Sequence, residues 1–474
     1  MRRELGIVLV VACEAAPASQ PAPRTPPAVE SNIARADYVG PDACGGCHPD
    51  EYARWSQSLH RVMNAKPSDP GAVIGNFDNA SLGSAHFTHD ANGYAMQIGD
   101  THYRVTRTIG RRALQEYVGI EDGHTDEVRL PFGWWPHAGG WQPQIAFDPW
   151  LTEFDPHPTA PWAERCPWCH STYPFEQRIA RASGPTHLGH GMEQWFAGAS
   201  SGKPGERRAR SSAEGGAQHN DRLDVAQQIT TGISCESCHL GGRAHANGGA
   251  IHFVPHGATA TTEVPDEPFA QERRDPAIVN AICAQCHSGP SPRLVDHTAL
   301  RNSSEAIDLG ASPCTGIKCT DCHDPHRADA RGDEQRSINA CVHCHDSLAD
   351  AAAARAHAGE GHGSVTCLDC HMPKLVMGID RYVRTHRISS PTNVAILRDA
   401  QPNACNLCHL DRSLAWTAEA LHLDASSWPH ADEPVGERWL ASPQGALRVM
   451  AALRLGKALP NDPLAYVRAW TAKH

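Results

Sequence analysis

The sequence predicts a mainly α and irregular fold, poor in side-chain core, with a small β-containing insertion toward its N-terminal end. Three observations lead there. A five-residue cysteine and histidine pattern recurs from one end of the chain to the other. Large core-formers are scarce (7 Met, 9 Phe, 8 Tyr in 474 residues) while 40 Gly, 36 Pro and 30 His favour turns and polar contacts. One stretch, GYAMQIGDTHYRVTRTIG at 93–110, alternates apolar and polar residues on both sides of Gly99-Asp100, which predicts a β-hairpin.

The recurring pattern is Cys-x-x-Cys-His, and it occurs eight times. Its copies are Cys44, Cys47 and His48; Cys166, Cys169 and His170; Cys235, Cys238 and His239; and Cys283, Cys286 and His287. The second four are Cys319, Cys322 and His323; Cys341, Cys344 and His345; Cys367, Cys370 and His371; and Cys405, Cys408 and His409. Together they use sixteen of the eighteen cysteines, leaving Cys13 and Cys314. Random placement would give well under one copy.

Covalent attachment of haem needs two thiols that reach the vinyl groups on one edge of the macrocycle, and an imidazole that reaches the iron. Cysteines at i and i+3 lie on one side of a helical turn, and a histidine at i+4 stays near that side. The pattern is that of c-type haem attachment, and histidine is an ordinary axial ligand of haem iron. A structural zinc site needs four ligands and does not require histidine directly after the second cysteine. A disulfide framework leaves the histidines unexplained, and a redox Cys-x-x-Cys would appear once. The chain therefore predicts eight covalently bound haem c groups: the sixteen motif cysteines form thioethers and the eight motif histidines are proximal ligands. Haem would fill much of the interior, and the chain without it would fold poorly.

A formal charge of −11, before the haem propionates, argues against nucleic acid as a partner. The arginines of GERRAR (205–210) lie in a low-complexity stretch and read as a solvated loop. At the N-terminus Arg2 and Arg3 precede an apolar run, Leu5 to Ala12, too short to span a bilayer. Val-Val-Ala-Cys at 10–13 has the form of a bacterial lipoprotein cleavage box, which would make Cys13 the lipidated residue and give a membrane anchor. An ordinary signal peptide with an incidental cysteine is the alternative. Either exports the protein to the periplasm or the outer membrane.

This divides the chain into a signal peptide at 1–13, a Pro/Ala-rich tether at 14–36, an octahaem domain at 37–409 and a helical tail at 410–474. The interval from Cys44 to Cys166 is the longest between motifs and holds the β-containing insertion, 61–165. LPFGWWPHAGGW at 130–141 reads there as a compact aromatic loop. In the tail, Ser442-Pro443 starts a helix with an apolar stripe of Leu447, Met450 and Leu453, and Asp462-Pro463 starts another.

Each motif supplies one axial ligand. A histidine on the other face closes the iron for electron transfer, and an open face admits small molecules. His60, His245, His326, His362 and His386 are the candidate distal ligands, with His357 competing with His362. His187, His190 and His297 are further candidates. His326 follows His323 too closely to reach the opposite face of the same iron, so it would serve a neighbouring haem. Arg107, Arg111, Arg112 and His124 are where anion-stabilising groups of an active site would be sought, with pairing to propionates as the plainer role. Cys314 reads as a buried small residue.

YVGPDACGGCHPDEYARWSQSLHRVM at 38–63 resembles the opening motif of multihaem cytochromes c, including octahaem proteins, related to the tetrahaem cytochrome that accepts electrons from hydroxylamine oxidoreductase. CHSTYPFEQR (169–178), CESCHLGGRAH (235–245), CTDCHDPH (319–326), CLDCHMP (367–373) and PNACNLCHLDRSLAWT (402–417) are similar to the same group. The resemblance implies a haem-stacked core with mostly bis-histidine ligation, and carries His60, His245, His326 and His386 as distal ligands. It implies an exported electron carrier working between redox partner proteins. The alternative it offers is an octahaem oxidoreductase acting on nitrite, hydroxylamine or tetrathionate at one open haem. No Cys-x-x-Cys-Lys is present, which weakens a nitrite-reductase reading. The balance leans to carrier rather than enzyme.

Overall fold

The structure is a computed structural model that describes residues 30–136, 139–143, 161–177, 223–257, 273–289, 291–327, 333–359, 361–378, 381–443 and 445–455. All eight motifs fall within these residues. Cys13, His187, His190, the leader, the tether up to residue 29 and the second tail helix lie outside them.

The β-structure is larger than one hairpin. Seven strands, β1 (Asn64–Ala65), β2 (Ala80–Leu82), β3 (Ala85–Asp90), β4 (Gly93–Ile98), β5 (Thr101–Ile109), β6 (Glu116–Glu121) and β7 (Glu127–Arg129), form an antiparallel sheet. Its order is β2-β3-β4-β5-β6-β7, with β1 paired to β5. β4 and β5 meet across a two-residue turn in which Gly99 has φ +59, a conformation that favours glycine. β5 carries a bulge between Val105 and Arg107. The aromatic segment expected to be a loop is instead a hairpin, β8 (Phe132–Trp135) with β9 (Gly140–Pro143), joined to the sheet through Gln115 and Trp134. Short strands whose alternation runs for only three to six residues leave little periodicity to read.

The sheet has its own side-chain core. Phe87 stacks on Trp141 with centroids 3.8 Å apart and planes at 2°, and Phe77 packs edge-on to both. A second apolar core gathers Leu375, Leu397, Leu414, Val435, Trp439 and Met450 around the C-terminal helices. The helix Gly445–Leu455 contributes Leu447 and Met450 to it. A further buried cluster of Trp168, Phe175, Leu240, Phe253 and Ile278 lies among the short helices that carry the second, third and fourth motifs.

Candidate haem-binding sites

Most motifs are built as single helical turns. In six of them the histidine N–H donates to the carbonyl of the first cysteine at 2.9–3.0 Å, which brings both thiols and the imidazole to one side. The variable residues help: Asp321 accepts the Lys318 N–H and Asp369 the Thr366 N–H, each at 2.9 Å, capping the turns that begin at Cys319 and Cys367.

Motif histidines face histidines from elsewhere in the chain. His48 stands opposite His245 at 6.2 Å between centroids, His239 opposite His326 at 6.3 Å, and His323 opposite His386 at 6.1 Å. His371 stands opposite His357 at 6.1 Å and His409 opposite His362 at 6.2 Å. These distances are too long for ring contact; the true stack of His89 on Tyr94 is 4.0 Å. With metal–nitrogen bonds of about 2.0 Å, two imidazoles on one iron need centroids about 6.3 Å apart. The residues fit the group.

His357 and His362 do not compete. The helix Ala351–Ala358 ends at Gly359, with φ +86, and this turn sends them to different motifs. His60 forms no ring pair among the described residues, yet desolvation holds it neutral, at about 4, and the charge of nearby His287 adds to this. Desolvation likewise lowers His239 and His386 to about 4, keeping them in the neutral form that binds metal.

Ring orientation is fixed from behind. The Nδ1 of His245 lies 3.1 Å from the Gly249 carbonyl, that of His362 3.0 Å from Ala358, and that of His371 2.9 Å from Ser389. His60 and His386 also bond backbone carbonyls, those of Pro325 and Arg384. A proton held on Nδ1 leaves Nε2 for iron. His287 differs, since its Nδ1 faces the Glu305 carboxylate at 3.3 Å. Desolvation alone would lower His287, but the hydrogen bond and charge of Glu305 carry it up to about 9. Glu305 had no signal in the sequence; the contact depends on a helix start eighteen residues away.

Neighbouring motifs touch. Cys44 lies beside Cys235, and Cys283 beside Cys319. Trp168 Nε1 donates to the Gln285 carbonyl at 3.2 Å, joining the second motif to the fourth. Cys341 lies within charge range of Cys322, Cys367 and Cys314, and Cys370 within range of Cys408. Among the described residues no group of three His, Cys, Asp or Glu side chains could hold a bare metal ion.

The basic candidates of the insertion do not converge. Arg107 pairs with Glu127 at 3.0 Å and lies over the Trp162 ring at 5.4 Å, close to the second motif. Arg111 and Arg112 are exposed in the turn after β5, and His124 is exposed 4.0 Å from Glu121. His297 is exposed, with φ +69. His170 has its Nδ1 buried without a hydrogen-bond partner, and no histidine ring stands opposite it or His345 among the described residues.

Residues 354–423, which carry the two C-terminal motifs and both His357 and His362, match the family model described as Cytochrome c552. With the eight attachment motifs, this match supports a c-type cytochrome that carries several haems. Among solved structures, the outer cell wall cytochrome OcwA is similar at 15% identity and TM-score 0.45, over 92% of this chain and 98% of that one. The undecaheme cytochrome from the S-layer of Carboxydothermus ferrireducens is similar at 17% identity and TM-score 0.42, over 94% and 70%. The octaheme sulfite reductase MccA of Wolinella succinogenes is similar at 17% identity and TM-score 0.35, over 76% and 59%. No curated protein matches the sequence.

Proposed function

We propose that the protein is an exported octahaem cytochrome c that relays electrons between redox partner proteins, tethered to a membrane through lipidated Cys13. The observation that carries the relay reading is the set of five imidazole pairs at 6.1–6.3 Å, each joining a motif histidine to one from another segment. In this reading His245, His326, His386, His357 and His362 close the irons of the first, third, fifth, seventh and eighth motifs. His60 closes the fourth, opposite His287. Bound haem supplies a reversible one-electron couple at each site. The protein would hold each ring by two cysteines and, at the six sites named, block the iron to substrate with a second histidine; the nearness of Cys44 to Cys235 and of Cys283 to Cys319 would bring neighbouring sites together. The apolar run before Cys13 supports export. Among the described residues no helix is long and apolar enough to cross a membrane.

A second reading, an oxidoreductase acting on a small nitrogen or sulfur compound, is favoured by the missing histidine partners of His170 and His345 among the described residues. The optical and EPR spectra of purified holoprotein, with carbon monoxide added after reduction, separate the two. Wholly low-spin haem without a carbon monoxide shift supports the relay. A high-spin signal with about one carbon monoxide bound per molecule supports the enzyme.

A further inference from the structure

We infer that Glu305 is a positioning residue for the fourth motif: its carboxylate makes His287 the most electron-rich of the motif histidines and its site the hardest of the set to reduce. The inference rests on the octahaem reading above. Oε2 of Glu305 stands 3.3 Å from His287 Nδ1, while Oε1 accepts the Ser303 N–H at 2.9 Å. The next residue locks the same place, because the Ala306 N–H donates to the His287 carbonyl at 2.9 Å. Side chain and backbone together leave the carboxylate little freedom to turn away.

The contrast with the other sites is chemical. His371, His245 and His362 give their Nδ1 proton to neutral backbone carbonyls. Asp324 lies 3.7 Å from His326 Nδ1, beyond hydrogen-bond length, and shares its charge with Arg54 at 3.6 Å. Glu305 is the carboxylate within hydrogen-bond reach of a motif histidine among the described residues. A carboxylate draws the Nδ1 proton toward itself and strengthens Nε2 as a donor, which favours ferric over ferrous iron. The place matters because the fourth motif is a junction. Cys283 touches Cys319 of the fifth motif, and Gln285 is bonded to Trp168 of the second. Glu305 thereby sets a thermodynamic step between the two halves of the relay.

The test is a redox titration of the holoprotein, followed by absorbance and EPR, beside Glu305→Gln and Glu305→Asp. Peptide mapping first establishes haem on Cys283 and Cys286 of the unmodified protein. The expected result is a low-spin component, about one eighth of the haem, that is reduced last and has compressed g anisotropy. Glu305→Gln moves that component to higher potential and leaves the rest in place, and Glu305→Asp restores part of the shift. Titrations of Glu305→Gln and parent that superimpose, with haem content equal, overturn the inference while leaving the relay intact. If Glu305→Gln does not mature, the parent decides: absence of a compressed, last-reduced component overturns the inference. A parent with no haem at Cys283 and Cys286 overturns both.

Discussion

The imidazole planes of His362 and His409 cross at 83°, whereas the other four pairs that include a motif histidine lie within 25° of parallel. The Ala358 carbonyl holds the His362 ring in that attitude, and Trp416 lies 5.0 Å from the His409 ring. Parallel imidazoles split the two iron d orbitals that interact with them, and crossed imidazoles leave those orbitals nearly degenerate. Near-degeneracy gives a highly anisotropic low-spin EPR signal. The holoprotein should therefore show one such signal, integrating to about one eighth of the haem, and His362→Ala should abolish it. A spectrum made only of ordinary rhombic signals would show that the rings turn when iron binds.

His245 offers a cleaner test of ligation, because its ring faces His48 and its Nδ1 is held by Gly249. His245→Ala should open one iron, adding high-spin haem and one carbon monoxide per molecule in the reduced-minus-carbon-monoxide difference spectrum. His297→Ala is the matching control. It alters an exposed histidine that faces no motif, and should leave the spectrum unchanged.

What the sequence told and withheld follows from how local each feature is. The motif turns were legible because cysteines and histidine within five residues carry the whole chemistry. His326 was legible because it follows His323 too closely to serve the same iron, and His245 because it ends the segment CESCHLGGRAH that resembles multihaem cytochromes c. The division of labour between His357 and His362 was hidden, since it depends on a turn at Gly359 and on where two later motifs sit in space. Glu305 was hidden for the same reason, and the sheet was hidden by the shortness of its strands.

The close approach at Gly232 gives a third prediction. A Cβ there would lie 2.1 Å from the Arg61 carbonyl oxygen and 3.3 Å from that of Asn64. Neighbouring Ile233 also donates its N–H to the His60 carbonyl at 3.0 Å. Gly232→Ala must push the short helix Leu59–Val62 aside and carry His60 with it. The expected cost is about 1–3 kcal/mol, read as a lowered denaturation midpoint, together with carbon monoxide binding absent from the parent. Destabilisation with no new carbon monoxide site would place His60 outside the iron's reach.

The sheet core is a different kind of target, because its central residues touch no motif histidine. Phe87 is fully buried and lies flat on Trp141, with Phe132 edge-on at 5.9 Å. Phe87→Ala removes a ring from a packed core and should cost about 3–5 kcal/mol, seen as an earlier loss of near-ultraviolet circular dichroism in urea. Below that transition the Soret and α bands should match the parent, since the motif turns are capped by their own residues. The two regions meet at Ile109, Val118 and Trp162, which pack against Cys166. Loss of the sheet should therefore reach the second motif first, and the carbon monoxide difference spectrum should change by about one haem before the others respond. A single transition in which all haem bands collapse together would mean that the sheet and the haem sites fold as one unit.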